Sequence, residues 1–188
     1  MKAVGLIGST VGSKTKIAIQ STMSELADKH PGIDQTIINL ADFSMAWSDG
    51  RNFLDYQGDT QFVTKTIMEA DILFIGTPVF QASIPGSLKN IFDLLPQKAF
   101  QNKTVSIVVT AGSSKHYLVA EQQLKPILNY MKAHVLPSYV FIEEKDFMNK
   151  KMINDDVFFR LRDLVMDTVL FAEAHEKLRE IKEAEYDF

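Results

Sequence analysis

Apolar residues fall along this chain in two alternating patterns. Apolar runs of strand length, rich in Val, Ile and Phe, cover Lys2 to Ile7, Thr36 to Leu40, Asp71 to Gly76, Thr104 to Thr110 and a stretch around Val135 to Ile142. Such runs show little polar alternation, which is how strands buried on both faces read. Between them the spacing becomes helical. Ile19, Met23, Leu26 and Ala27 share one face, Leu88, Ile91, Phe92 and Leu95 a second, and Ala120, Leu124, Ile127, Leu128 and Met131 a third. A last helix is expected to start at Asn154, capped by that side chain, with Asp155 and Asp156 at its positive end and a stripe of Val157, Leu161, Leu164, Val165 and Thr168. Five strands alternating with five helices predict an α/β fold with a parallel, doubly wound sheet.

Two places break the pattern. Ala41 to Asp59 is irregular and holds Phe43, Trp47, Phe53 and Tyr56, so it reads as a functional loop, a roof over a site or simple packing. Pro126 falls inside a helical pattern, where it removes an N–H, leaves the carbonyl of Gln122 without its partner and costs about 3 kcal/mol. A kinked helix at a subunit contact or a helix restart would each account for it.

In an open α/β sheet, ligands sit at the carboxyl ends of strands. The first such end reads Gly8-Ser9-Thr10-Val11-Gly12-Ser13-Lys14-Thr15 and then turns helical. Small residues let backbone approach a ligand, the helix start offers free N–H groups, and Ser9, Thr10, Ser13 and Thr15 offer hydroxyls, a set suited to a terminal phosphate. The segment narrowly misses a triphosphate P-loop, because Ser13 stands where the second glycine is required. A nucleotide kinase or NTPase, and a polar helix cap with no ligand, are the alternatives at this loop.

The third strand ends in Gly76-Thr77-Pro78-Val79-Phe80-Gln81-Ala82-Ser83. Pro78 restrains the turn, Val79 and Phe80 offer an apolar wall for a planar ring such as isoalloxazine, and Ser83 lies near enough to cap the next helix or touch a ligand. The fourth strand ends in Thr110-Ala111-Gly112-Ser113-Ser114, whose backbone N–H groups could meet the carbonyl edge of such a ring. Three small-residue loops therefore converge on one sheet edge.

At these residues the chain resembles the NADPH-dependent FMN reductase family, which is flavodoxin-like in fold. Gly8-Ser9 and Ser13-Lys14-Thr15 match the opening motif, and Thr77-Pro78-Val79-Phe80-Gln81-Ala82-Ser83-Ile84-Pro85-Gly86-Ser87-Leu88-Lys89-Asn90 the central one. Gly112 through His116 to Leu124-Lys125-Pro126 is further similar to the FMN reductases of alkanesulfonate-assimilation systems. The likeness spans about Met1 to Ile142 and implies a three-layer sandwich with strand order 2-1-3-4-5 in one domain, residues 1–188. It implies that Ser9, Ser13 and Thr15, within a loop that includes Thr10 and Lys14, hold the FMN phosphate. Pro78, Val79, Phe80 and Gln81, with Ser83 beyond them, would line the flavin, and Thr110, Ala111, Gly112, Ser113 and Ser114 would meet its pyrimidine edge. The family's loop arginine is missing, with Thr10, Val11 and Gly12 in a shortened loop, and Phe80 replaces a usual tyrosine.

The implied activity is hydride transfer from NADPH or NADH to FMN and onward to free flavin, a quinone, an azo compound or another small acceptor. No catalytic side chain is required. The alternatives are a flavodoxin-type electron carrier and a flavin-free interaction domain. The family also implies a homodimer or homotetramer.

Composition narrows this further. The 188 residues carry a formal net charge of −4, which argues against bulk nucleic-acid or anionic-membrane binding. There is no cysteine, so thiolate catalysis and cysteine-held metals are excluded, and no metal site is expected. No signal peptide or membrane span is expected, and the expected location is the cytoplasm.

Overall fold

The computed structural model describes residues 1–186. The expectation of a domain reaching Phe188 thus includes two residues, 187 and 188, outside the described ones. Strands β1 (Lys2–Ile7), β2 (Asp34–Asn39), β3 (Ile72–Pro78) and β4 (Thr104–Ala111) form a parallel sheet. The fifth position is shared by β5 (His134–Val135) and β6 (Val140–Glu143), which both pair with β4. The order is β2-β1-β3-β4-β5, as expected for a flavodoxin-like sheet. The fifth strand was expected as one run. Leu136 to Tyr139 divides it, and Pro137 there has no N–H to give to a ladder. A short hairpin, β7 (Phe147–Met148) with β8 (Lys151–Met152), follows.

The helices are α1 (Lys14–Lys29), α2 (Gly58–Glu69), α3 (Gly86–Leu94), α4 (Lys125–Tyr130) and α5 (Asp155–Tyr186). The largely apolar strand sequences resolve into two alternations laid over each other. Val4, Leu6, Leu73, Ile75, Val105, Ile107 and Val109 face a core shared with α2, α3 and α4. Ala3, Ile7, Ile72, Phe74 and Val108 face the other core, shared with α1 and α5. Of the first expected helical face, Ile19, Met23 and Leu26 are buried, while Ala27 is exposed.

On the α1/α5 side, β4 presents polar residues at alternate positions. The hydroxyls of Ser106 and Thr168 lie 2.6 Å apart, and those of Thr15 and Thr110 lie 2.7 Å apart, all four residues being buried. Each hydroxyl thus finds the partner that burial demands.

Asn154 caps α5, accepting a hydrogen bond from the Asp156 N–H at 3.0 Å. The expected stripe from Val157 to Thr168 is buried, and burial ends at Ala172. At 32 residues the helix runs about 48 Å, well past the sheet, and the residues from Glu176 to Glu185 are exposed. Among the described residues, no helix is long and apolar enough to cross a membrane.

Pro126 is accommodated without a break. Ala120–Leu124 forms a π-helical turn, in which the Lys125 N–H reaches back to the Ala120 carbonyl. The α-helix then restarts with Pro126 in its first turn, where a missing N–H costs little.

Candidate functional site

The three small-residue loops do meet at the carboxyl edge of the sheet. Between them lies a cleft of about 390 Å³, within the ~300–1,000 Å³ range of small-molecule sites.

The first wall is the loop into α1. The Gly8 N–H bonds to the Gly76 carbonyl at 2.8 Å, holding β1 against β3. A Cβ on Gly76 would lie 2.4 Å from Cγ1 of Ile19, so glycine there lets α1 close onto the sheet. Ser9 is buried, and its hydroxyl is spent within the loop. It donates to the Val11 carbonyl at 2.5 Å and accepts from the Val11 N–H at 3.2 Å. Gly12 takes φ +84°, a left-handed turn that opens the path to the helix. Ser13 precedes α1, yet its side chain makes no cap bond, and the first turn contains no acidic residue. The leading N–H groups of α1 therefore have no side-chain cap. An uncapped helix start with its positive dipole end is a ready anion site.

The second wall follows β3. Pro78 is buried, Val79 is half-buried and Phe80 is 41% exposed. The Val79 N–H bonds to the Thr110 carbonyl at 3.0 Å, tying this wall to β4. Phe80 and Ser83 then exchange both backbone hydrogen bonds, at 2.9 and 3.0 Å, across a two-residue turn. Gln81 and Ala82 take φ of 49° and 59°, a pairing usually left to glycine or asparagine. The third wall is the end of β4, where Thr110 and Ala111 lead to Gly112. A Cβ on Gly112 would meet nothing within 4 Å, so its backbone stands open to a ligand.

Nine of the expected site residues line this cleft: Ser13, Lys14 and Thr15 on the first wall, Pro78, Val79 and Phe80 on the second, Thr110, Ala111 and Gly112 on the third. Six others do not line it. Ser9 lies beneath the loop, and Thr10 points into solvent. Gln81 forms the exposed turn, and the Ser83 hydroxyl donates to the Gln123 side-chain oxygen. Ser113 and Ser114 lie past the rim, where Ser114 opens a short 3-10 turn.

The irregular segment after β2 packs largely on its own domain. Tyr56 is buried, and Phe43 stacks on Phe62 with centroids 5.7 Å apart. Buried Asn90 on α3 grips the segment from below, donating to the Ala46 carbonyl and accepting from the Ser48 N–H, both at 2.9 Å. Hydrogen bonds from Arg51 and then Tyr56 hold the Asp49 carboxyl well below the usual carboxylate range. Trp47 is left 74% exposed.

A family model described as NADPH-dependent FMN reductase matches residues 1–147. The chain belongs to that family. It is 37% identical to an NAD(P)H-dependent FAD/FMN reductase of Geobacillus thermodenitrificans, over 90% of this chain and 92% of that one. It is 32% identical to an FMN reductase (NADPH) of Pseudomonas aeruginosa, over 86% and 87% of the two chains. In fold it is similar to the apo form of an NADH:FMN oxidoreductase, with a TM-score of 0.76 at 24% identity over 90% of this chain and 88% of that one. An archaeal flavodoxin shares the fold less closely, with a TM-score of 0.59 at 16% identity over 92% and 99% of the chains.

The cleft of this FMN reductase family member fits its flavin. The uncapped start of α1, the uncommitted Ser13 hydroxyl and the Lys14 ammonium make a donor set for a phosphate. Pro78, Val79 and Phe80 make a wall for a flat ring, and the backbone at Gly112 is open for a polar rim. Val11, Gly12 and Glu144 also line the cleft, beyond the residues expected there. For Glu144 the sequence held no local signal. It arrives because β6 pairs with β4 in a register that sets Glu143 beside Ala111.

Proposed function

We propose that this chain is an NAD(P)H-dependent FMN reductase that binds FMN in the cleft at the sheet's carboxyl edge. The observation that carries the reading is the uncapped N-terminus of α1, which opens onto a cleft walled on its far side by Pro78, Val79 and Phe80. One end suits a dianion and the other a flat ring.

In this reading Ser13, Lys14 and the leading N–H groups of α1 bind the phosphate. Thr15 and Thr110 brace the floor beneath it through their shared hydrogen bond, and Ser9 shapes the loop from within. Val79 and Phe80 shield one side of the ring from water, while the backbone from Thr110 to Gly112 meets its polar edge. Bound FMN supplies the hydride-accepting and electron-releasing chemistry, so the protein's part is orientation, shielding and charge. The nicotinamide nucleotide, NADPH or NADH, would approach the open side. A small acceptor such as free flavin, a quinone or an azo compound would follow it.

A homodimer or homotetramer accompanies this reading, supported by the exposure of Trp47 within a segment that Asn90 pins to the domain. Light scattering that returns a monomer would remove that part alone.

The deciding experiment mixes the protein with FMN without oxygen, adds NADPH or NADH, and follows the absorbance of oxidised flavin. Bleaching without any added reductase is expected. Bound flavin that stays oxidised would make the chain a carrier instead.

A further inference from the structure

Glu144 is the unexpected member of the cleft. It follows β6 at the start of a short turn, Glu144–Asp146. That turn is fixed. Buried Asp146 accepts a hydrogen bond from the Glu143 N–H at 2.9 Å and another from Nδ2 of Asn154 at 2.7 Å. The Ile153 N–H adds a third bond, to the Asp146 carbonyl, at 2.9 Å. A loop pinned at three points thus delivers a carboxylate to the start of α1.

There the Glu144 carboxylate pairs with the Lys14 ammonium, the first residue of the helix. Among the described residues that line the cleft, Lys14 is the one cation and Glu144 the one anion. A helix start favours negative charge, and here the chain itself provides one from a different element. A phosphate arriving at the same helix start meets a like charge and must draw Lys14 away from its partner.

We infer that Glu144 is a built-in competitor for the flavin phosphate. It holds Lys14 in the free protein, yields it on FMN binding and reclaims it on release. FMN is thereby made an exchangeable substrate rather than a permanently seated group. The inference rests on the reading of α1 as the phosphate site. The side chains of Lys14 and Glu144 are 37% and 63% exposed, so their pair is solvated and weak. Weakness is what a competitor that must give way requires.

The test compares FMN with riboflavin, which carries the same ring without the phosphate, on the full chain. The proteins are the wild type, Glu144→Gln and Lys14→Met, followed by fluorescence titration and stopped-flow release. Glu144→Gln is expected to bind FMN about two- to fivefold more tightly, with slower release. Its riboflavin affinity should match the wild type's, and Lys14→Met should weaken FMN alone. Unchanged or weaker FMN binding by Glu144→Gln overturns the inference. So does an equal gain for riboflavin, since the effect would then not act through the phosphate. A wild type that binds neither flavin strikes instead at the reading of the cleft.

Discussion

The hydroxyls of Thr15 and Thr110, two residues that line the cleft, meet at 2.7 Å, joining the first turn of α1 to the end of β4 across 95 residues of chain. Thr15 is 5% exposed and Thr110 is 4% exposed, so neither hydroxyl has ready access to water. Replacing Thr15 with valine keeps the shape but strands the Thr110 hydroxyl. The expected loss is about 1–2 kcal/mol of unfolding free energy. Replacing both with valine should recover part of it, since no polar group is then left unpaired. Urea unfolding of the two single variants and the double variant measures this coupling.

A second pair lies at the opposite edge of the sheet. The rings of His134 and His175 stack with centroids 3.9 Å apart, beside a cavity of about 200 Å³ that Glu176, Arg179 and Lys182 also line. Burial, then the neighbouring His175 and Lys182, push the His134 imidazole below its ordinary value of 6.5. The unfolded chain takes up this proton first as pH falls. The stabilisation is therefore complete above about 6.5 and is lost as pH falls through the folded-state value. His134→Gln should flatten the fall in melting temperature across that acidic window relative to the wild type. Parallel curves for the two proteins would refute it.

The turn at Gln81 and Ala82 carries strain that glycine would relieve. Ala82 sits at φ 59° with a Cβ, a left-handed conformation that costs a non-glycine residue roughly 1–2 kcal/mol. Ala82→Gly should raise the melting temperature slightly, less than that cost suggests, because glycine also loosens the unfolded chain. If the turn's stiffness helps to seat Phe80 against a ligand, the same variant should bind FMN more weakly. Thermal melts with and without FMN separate the two effects.

Asn90 is the clasp of the irregular segment. Asn90→Ala removes its bonds to Ala46 and Ser48, at an expected cost of about 1–3 kcal/mol. Cleavage by a protease should rise between Ala41 and Gln57 before it rises elsewhere. A segment no more sensitive than the wild type's would mean that its other bonds suffice, among them those that Thr60 and Asp59 accept from the Ala46 and Ser44 N–H groups and the one the Ser48 hydroxyl donates to the Asp93 carbonyl.

The sequence by itself marked the strands of the sheet, because strands buried on both faces are largely apolar, and β1 spans the Lys2 to Ile7 run expected for it. It also determined the three loops, because close approach to a ligand demands small residues, and the family motifs lie in the same segments. Other features depended on contacts between distant segments. Whether the Ser9 hydroxyl faced a ligand or its own loop turned on the bonds to Val11, and the fate of Pro126 turned on a switch of helical register at Ala120. The presence of Glu144 at the helix start turned on the pairing of β6 with β4, which brings together residues 130 positions apart. Local pattern reports how much of each segment is buried. Only the closed fold sets which side chains share a charge, and electrostatic partnership depends on distance in space rather than along the chain.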